Sequence, residues 1–262
     1  MKPLKGERLN LNHPYARDLV FCSLMNEYTG QGIWDHVSEQ RYAFDGTYTP
    51  DWGYAGTDRK GVEFNDDREH INGPVCNSIL PAGSNGTIIF KFKKTNVPSS
   101  GYYYFFVVGD DTSVFMAYYS VTAGGLRIVV DGSPAEITIA EAIFFNGSVF
   151  AITWEDNGNI NFKLYIDGIY IGEDDTSSSV DFPNSTALIN IGGRTDSDDR
   201  YAGGIFEWLY IYDKAKSADE IFNITNNPYA MFEEDDMFQF MYVETVGGIS
   251  IPVVMHHLRN LT

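Results

Sequence analysis

The sequence predicts an all-β chain, an antiparallel two-sheet sandwich closed near its C-terminus by one short helix. Three observations carry that expectation. Short apolar runs recur at regular spacing with Gly-rich turns between them. Two hairpin signals stand in tandem, at Asp156-Asn157-Gly158-Asn159 and at Asp167-Gly168. A strand pattern from Gly204 to Tyr212 runs into a helix whose start is marked by Ser217.

From Leu19 the run LVFCSLMNE alternates well enough for a half-buried strand. Residues 1–18 before it lack periodicity, and Pro3 and Pro14 discourage helix, so they read as an extended arm. Tyr28 to Asp58 is rich in Gly, Tyr, Trp and Asp and reads as long loops with short strands. The runs GVEFN, GTIIFKFKKTNV, YYYFFVVGDD, VFMAYYSV and LRIVVDG follow, separated by Pro98-Ser99-Ser100-Gly101, Gly109-Asp110-Asp111 and Ala123-Gly124-Gly125. Short strands with such turns argue a sandwich. Val149–Trp154 and Phe162–Ile166 flank the first hairpin signal, and Asn-Gly supplies the positive φ angles of a tight turn. Asp167-Gly168 joins the next pair. Ser217 with Glu220 three residues on makes a capping box for a helix over 217–224. Asn226-Asn227-Pro228 then breaks the pattern.

Bulk properties narrow the function classes. The chain has 262 residues, 18 Phe and 17 Tyr, enough for one large β core. Its net charge of −18 repels phosphate backbones and anionic lipid, which argues against nucleic-acid and membrane partners. No run reaches the ~18 apolar residues of a membrane span. Cys22 and Cys76 are too few and too far apart for a disulfide scaffold or a zinc site, and Cys22 reads as a buried small hydrophobe. The opening MKPLKGERLNLNHPYARD has no apolar h-region, so the expected location is the cytoplasm or a particle assembled there.

Longer motifs carry a resemblance. YIDGIYIG (165–172), INIGGR (189–194) and YAGGIFEWLYIYDKAKSADEI (201–221) resemble the C-terminal half of laminin-G-like, concanavalin-A-like jelly-roll modules. HPYARDLVFCSLMNEYTGQGIWDHV (13–37) and GVEFNDDREHI (61–71) resemble their opening strands. The resemblance covers about Leu19 to Thr225. It implies a concanavalin-A-like jelly roll, a fold that hosts lectins, adhesion modules, glycosidases and structural virion domains. LNLNHPYARDLV, NPYAMF and GISIPVVMHH also resemble jelly-roll proteins encoded in tailed-phage structural modules.

A catalytic constellation is not legible. Glycosidases of this fold set carboxylates at alternating positions of one strand, aimed at the sugar. Glu155 and Asp156 fall on a hairpin turn. Glu207 and Asp213 would share a face only on an unbroken strand, and at ends too far apart for a retaining pair. No nucleophile elbow, zincin helix or phosphate loop appears. Asp66 and Asp67, and Asp198 and Asp199, are acid-rich loop positions that could ligate calcium, and the resemblance implies calcium in rim loops. Trp34, Tyr48, Trp52 and Tyr54 lie in the Gly-rich loops, where aromatic faces could stack under a sugar ring.

The tail carries two β-like runs, MFQFMYV and ISIPVVM, after the acidic Glu233-Glu234-Asp235-Asp236. A lone hairpin is marginal in water, and this one is apolar on both faces. Met237, Phe238, Phe240, Tyr242, Ile249, Ile251, Val253 and Val254 are therefore the expected assembly contacts, with other virion proteins or another copy. The expected organisation is an arm over 1–18, a jelly roll over 19–226 and a tail with an added β-hairpin over 227–262. The expected function is a non-enzymatic virion structural protein, a phage head- or tail-associated decoration or adhesion subunit able to bind surface glycans. A free carbohydrate-binding module and a glycoside hydrolase with an unfamiliar site are the alternatives.

Overall fold

A computed structural model of the chain describes residues 3, 8–27, 30–45, 49–54, 60–65, 69–80, 85–96, 101–108, 115–130, 132–156, 159–176, 187–194, 200–232, 239–244 and 250–255. Of Tyr54, Lys60, 239–244 and 250–255 it describes the backbone alone.

Two antiparallel sheets face each other. The larger runs β14 (Ile169–Asp175), β13 (Ile160–Ile166), β12 (Ser148–Asp156), β7 (Gly86–Lys94), β16 (Gly204–Tyr212), β5 (Lys60–Phe64) and β4 (Asp51–Tyr54), with β1 (Leu19–Ser23) also on β16. β5 pairs with residues 204–206 and β1 with residues 209–212, so the two share one edge of β16 end to end. The smaller sheet runs β11 (Ser133–Thr138), β10 (Gly125–Val130), β9 (Phe115–Ser120), β8 (Tyr102–Val108), β15 (Leu188–Ile191) and β6 (Ile71–Val75). β2 (Gly32–Asp35) and β3 (Gln40–Ala43) make a separate hairpin, and α1 (Cys76–Ile79) is a single turn.

The expected jelly-roll sandwich is the fold observed, and its local signals act as their chemistry predicts. Asp167 and Gly168 take φ of 52° and 80°, closing a two-residue turn between Ile166 and Ile169. β12 and β13 pair from Phe150–Ile166 to Asp156–Ile160 around the first hairpin signal, whose Asn157 and Gly158 lie outside the described residues. Glu155 and Asp156 are the last residues of β12 rather than turn residues. Helix α2 (Ala218–Asn226) opens on the Ser217–Glu220 capping box and runs two residues beyond the expected end.

The core between the sheets is aromatic. Phe90 of β7 lies with ring centroids 5.1–5.4 Å from Phe105, Phe106, Phe150 and Phe206. Phe144, from a 3-10 turn over Glu141–Asn146, stacks on Phe150 at 4.9 Å and closes one end. β16 is buried on both faces because two layers cover it. Phe206, Leu209 and Ile211 enter the inter-sheet core. Trp208, Tyr210 and Tyr212 enter a second cluster with Ile221, Ile224, Met231 and Phe232.

That reversal of parity after Phe206 comes from a bulge. Phe206 opposes Phe92 and Trp208 opposes Lys91, leaving Glu207 as the extra residue. The strand is therefore not the unbroken one that a shared face for Glu207 and Asp213 requires. Glu207 is buried and paired with Lys91 at 3.4 Å. Asp213 follows the strand, its amide bonded to Asp18 O at 3.0 Å.

The termini meet. Leu9 bridges Phe232 and the Asn10 amide donates to Met231 O at 2.8 Å. Pro14–Ala16 forms a 3-10 turn capped by His13, and Ala16 joins the second cluster. β17 (Gln239–Glu244) and β18 (Ser250–Met255) form a hairpin that is a sheet of its own, in register from Gln239–Met255 to Glu244–Ser250. Cys22 and Cys76 are buried free thiols. Burial pushes Cys76 up to about 12 and Cys22 well above its usual value, so neither presents a thiolate. Among the described residues no helix is long and apolar enough to cross a membrane.

Candidate functional site

The outward face of the smaller sheet carries an unusual set of side chains. In β8, Tyr103 and Phe105 point into the core, so Tyr102 and Tyr104 alternate outward. A bulge at Phe105 keeps both Phe105 and Phe106 in the core and sets the two tyrosines where β9 presents Tyr118. Tyr104 lies opposite Tyr118, and their rings stack at 4.8 Å with an interplanar angle of 21°. Tyr102 meets Tyr118 edge-on at 5.7 Å. Tyr104 is almost fully buried, while Tyr102 and Tyr118 stay partly open.

Charge flanks this row at both ends. On one side Tyr118 neighbours Arg127 of β10, and Arg127 neighbours Glu136 of β11. Arg127 Nε donates to Glu136 Oε2 at 2.5 Å. Hydrogen bonds to Glu136 and Tyr118 hold the guanidinium above its ordinary range, so it stays charged and fixed. On the other side Gly193 bridges Tyr201, and the Arg194 amide donates to Arg200 O at 2.9 Å. The Tyr104 amide donates to Tyr201 O at 3.2 Å, tying this connection to β8. Arg200 places its guanidinium carbon 5.9 Å from the Tyr104 ring centroid. Arg194, nearly buried, reaches over the sheet until Nη1 stands 3.5 Å from Met116 Sδ. Burial raises the Tyr104 hydroxyl above its usual value, against the lowering field of Arg200 and Arg194. Asn190 of β15 alternates outward beside Val107, and its Oδ1 is buried with no hydrogen-bond partner among the described residues.

Chemically the arrangement offers a stacking platform with donors beside it. Two partly open phenol rings offer apolar faces with polar edges, and planar donors stand around them. Glu136 is held by Arg127, and Asp174 of β14 accepts from the Glu136 and Asp175 amides. These carboxylates have structural partners.

Of the aromatic residues expected from sequence, Trp34 lies in β2 and Trp52 and Tyr54 in β4. Trp52 turns its indole N–H to Gly30 O at 2.9 Å and its ring to Phe44 at 5.7 Å, so it closes one end of the core. Trp34 is 38% exposed, with its amide bonded to Glu27 Oε1. Tyr54 pairs with Lys60 through its backbone in β4, and Tyr48 lies outside the described residues. Asp66, Asp67, Asp198 and Asp199 also lie outside them. Among the described residues no three acidic, His or Cys side chains group as metal ligands. In the tail, Met237, Phe238 and Ile249 lie outside the described residues, whereas Phe240, Tyr242, Ile251, Val253 and Val254 occupy the two hairpin strands. The tyrosine row escaped notice although YYYFFVV and FMAYYS carry the signal. With the core-facing positions filled by Phe, Ala, Tyr103 and Tyr119, the remaining tyrosines of the two strands face outward.

Comparisons agree with the fold. No curated protein sequence matches the chain. A mutant of Trypanosoma rangeli sialidase with trans-sialidase activity superposes with a TM-score of 0.62 at 14% identity, over 88% of this chain. The match spans only 37% of that sialidase. Domain 4 of AbnA, an extracellular arabinanase from Geobacillus stearothermophilus solved with arabinotriose, superposes with a TM-score of 0.56 at 16% identity. There the match covers 79% of this chain and 98% of that domain. The model of the concanavalin A-like lectin/glucanases superfamily, laminin-G type, matches residues 66–222, more than half of the chain. The chain belongs to that superfamily.

Proposed function

We propose that this chain is a non-catalytic glycan-holding module of a virion structural protein. The observation that carries glycan binding is the outward Tyr102–Tyr104–Tyr118 row flanked by fixed guanidinium groups. A sugar ring can lie on a phenol face while its hydroxyls bond to planar donors. The complex of the arabinanase domain with arabinotriose supports the reading, since that domain shares the fold. Non-catalysis is supported by the engaged carboxylates: Glu207 is buried against Lys91, and Glu136 is held by Arg127. A glycan array should give binding that Tyr118→Ala weakens about tenfold or more, at the scale of one lost stacking contact with its hydrogen bonds. Polysaccharides should release no reducing ends. Steady turnover that survives repurification and is lost in Glu207→Gln would replace the module with a glycosidase.

The virion role rests on the phage-type segments and on the tail. Leu9 and Phe232, from two of those segments, pair with each other, and the third supplies β18 of the separate hairpin. A two-stranded sheet with open edges is a ready contact for another chain. Deleting residues 233–262 should leave the melting temperature within a few degrees while abolishing self-association or particle incorporation, read by light scattering and by particle sedimentation. Unfolding of the truncated chain would make the tail part of the core.

A further inference from the structure

We infer that the tyrosine row takes a saccharide carrying an anionic oxygen group, a carboxylate or a sulfate, gripped by Arg200 beside Tyr104. The inference rests on the glycan-holding reading and adds the ligand's charge. The chain has nine arginines against 36 acidic residues, yet three of the nine, Arg127, Arg194 and Arg200, converge on this one face. Their states differ. Arg127 is neutralised by Glu136, whereas the guanidinium of Arg200 lies against the Tyr104 ring. Arg200 is half-buried and lies against an aromatic ring, which holds the planar fork without consuming its in-plane donors. A planar fork matches a two-oxygen anion better than it matches single hydroxyls. Arg194 runs over the same face, its Nη1 reaching Met116. The overall charge of −18 would repel a polyanion, but screening over about 8 Å at physiological salt lets a local basic patch act.

The test compares backbones with and without the anion: polygalacturonate against its methyl ester, and dextran sulfate against dextran. Affinity electrophoresis in EDTA keeps any cation at Asp198 and Asp199 from contributing. The expected result is at least tenfold tighter binding of one anionic polymer than of its neutral partner, weakening with salt. Arg200→Gln should erase that preference and Arg200→Lys should restore part of it, with melting temperatures unchanged. The polymer pair that shows the effect identifies the group. Equal binding of anionic and neutral forms overturns this inference and leaves the glycan-holding reading in place. A preference that survives Arg200→Gln overturns the assignment to Arg200. Failure of all four polymers and of the glycan array removes both readings together.

Discussion

Phe90→Ala should lower the unfolding free energy by about 3–5 kcal/mol, the range for deleting a fully buried aromatic ring. Phe90 has no exposed surface and sits where four other phenylalanine rings converge, within 5.4 Å of each. It belongs to β7, paired on both sides with β12 and β16, so neighbours cannot collapse into the void without breaking two ladders. That loss is a large share of the 5–15 kcal/mol that typical domains possess. The measurement is guanidinium denaturation, with the midpoint lowered and the slope unchanged. Phe222→Ala serves as the control, because Phe222 is 53% exposed and should change stability by less than about 1 kcal/mol. A Phe90→Ala loss no larger than that control would mean the two sheets do not pack as described.

Gly192→Ala should be a strongly damaging single methyl addition near the site. Gly192 has φ of +84°, a left-handed conformation costing an L-residue about 1–2 kcal/mol. An added Cβ would lie 2.3 Å from Cε1 and Cζ of Phe64, which is itself fully buried, adding about 1–3 kcal/mol of overpacking. Its amide donates to Phe105 O and its carbonyl accepts from the Ala202 amide, so displacement there also moves the connection carrying Arg194 and Arg200. Glycan binding should fall together with stability. Gly124→Ala isolates the conformational part, since Gly124 has φ of +71° with nothing within 4 Å of the new methyl. The difference between the two variants in melting temperature measures the Phe64 clash, and equal losses would exclude it.

What was legible in the sequence was local chemistry with a fixed spacing. Asp167-Gly168 could only close a tight turn, and Ser217 with Glu220 could only open a helix, and both do so. Alternation located the strands for the same reason. The bulges at Phe105 and Glu207 left no such mark. One extra residue in a ladder costs little locally, and only the partner strand reveals it. Yet each bulge decides a face: one sets Tyr104 against Tyr118, the other separates Phe206 from Trp208. The surroundings of the loop aromatics were hidden for a related reason. Trp52 looked available because its surroundings read as loop, but Gly30 O, from a strand-flanking loop well before it, and the Phe44 ring meet it. The tyrosine row is written locally in YYYFFVV and FMAYYS. Its partners, Arg127 and Arg200, come from other strands and connections, so only the topology joins them.

Hydroxyl-radical footprinting with the strongest array ligand tests the central claim most directly, because it reads which aromatic face the glycan covers. The account predicts that bound glycan protects Tyr102 and Tyr118 severalfold while Trp34, 38% exposed at its distance from the row in sequence and strand order, reacts as in the free protein. Protection of Trp34 with Tyr102 and Tyr118 still reactive would contradict it and move the site to the loops.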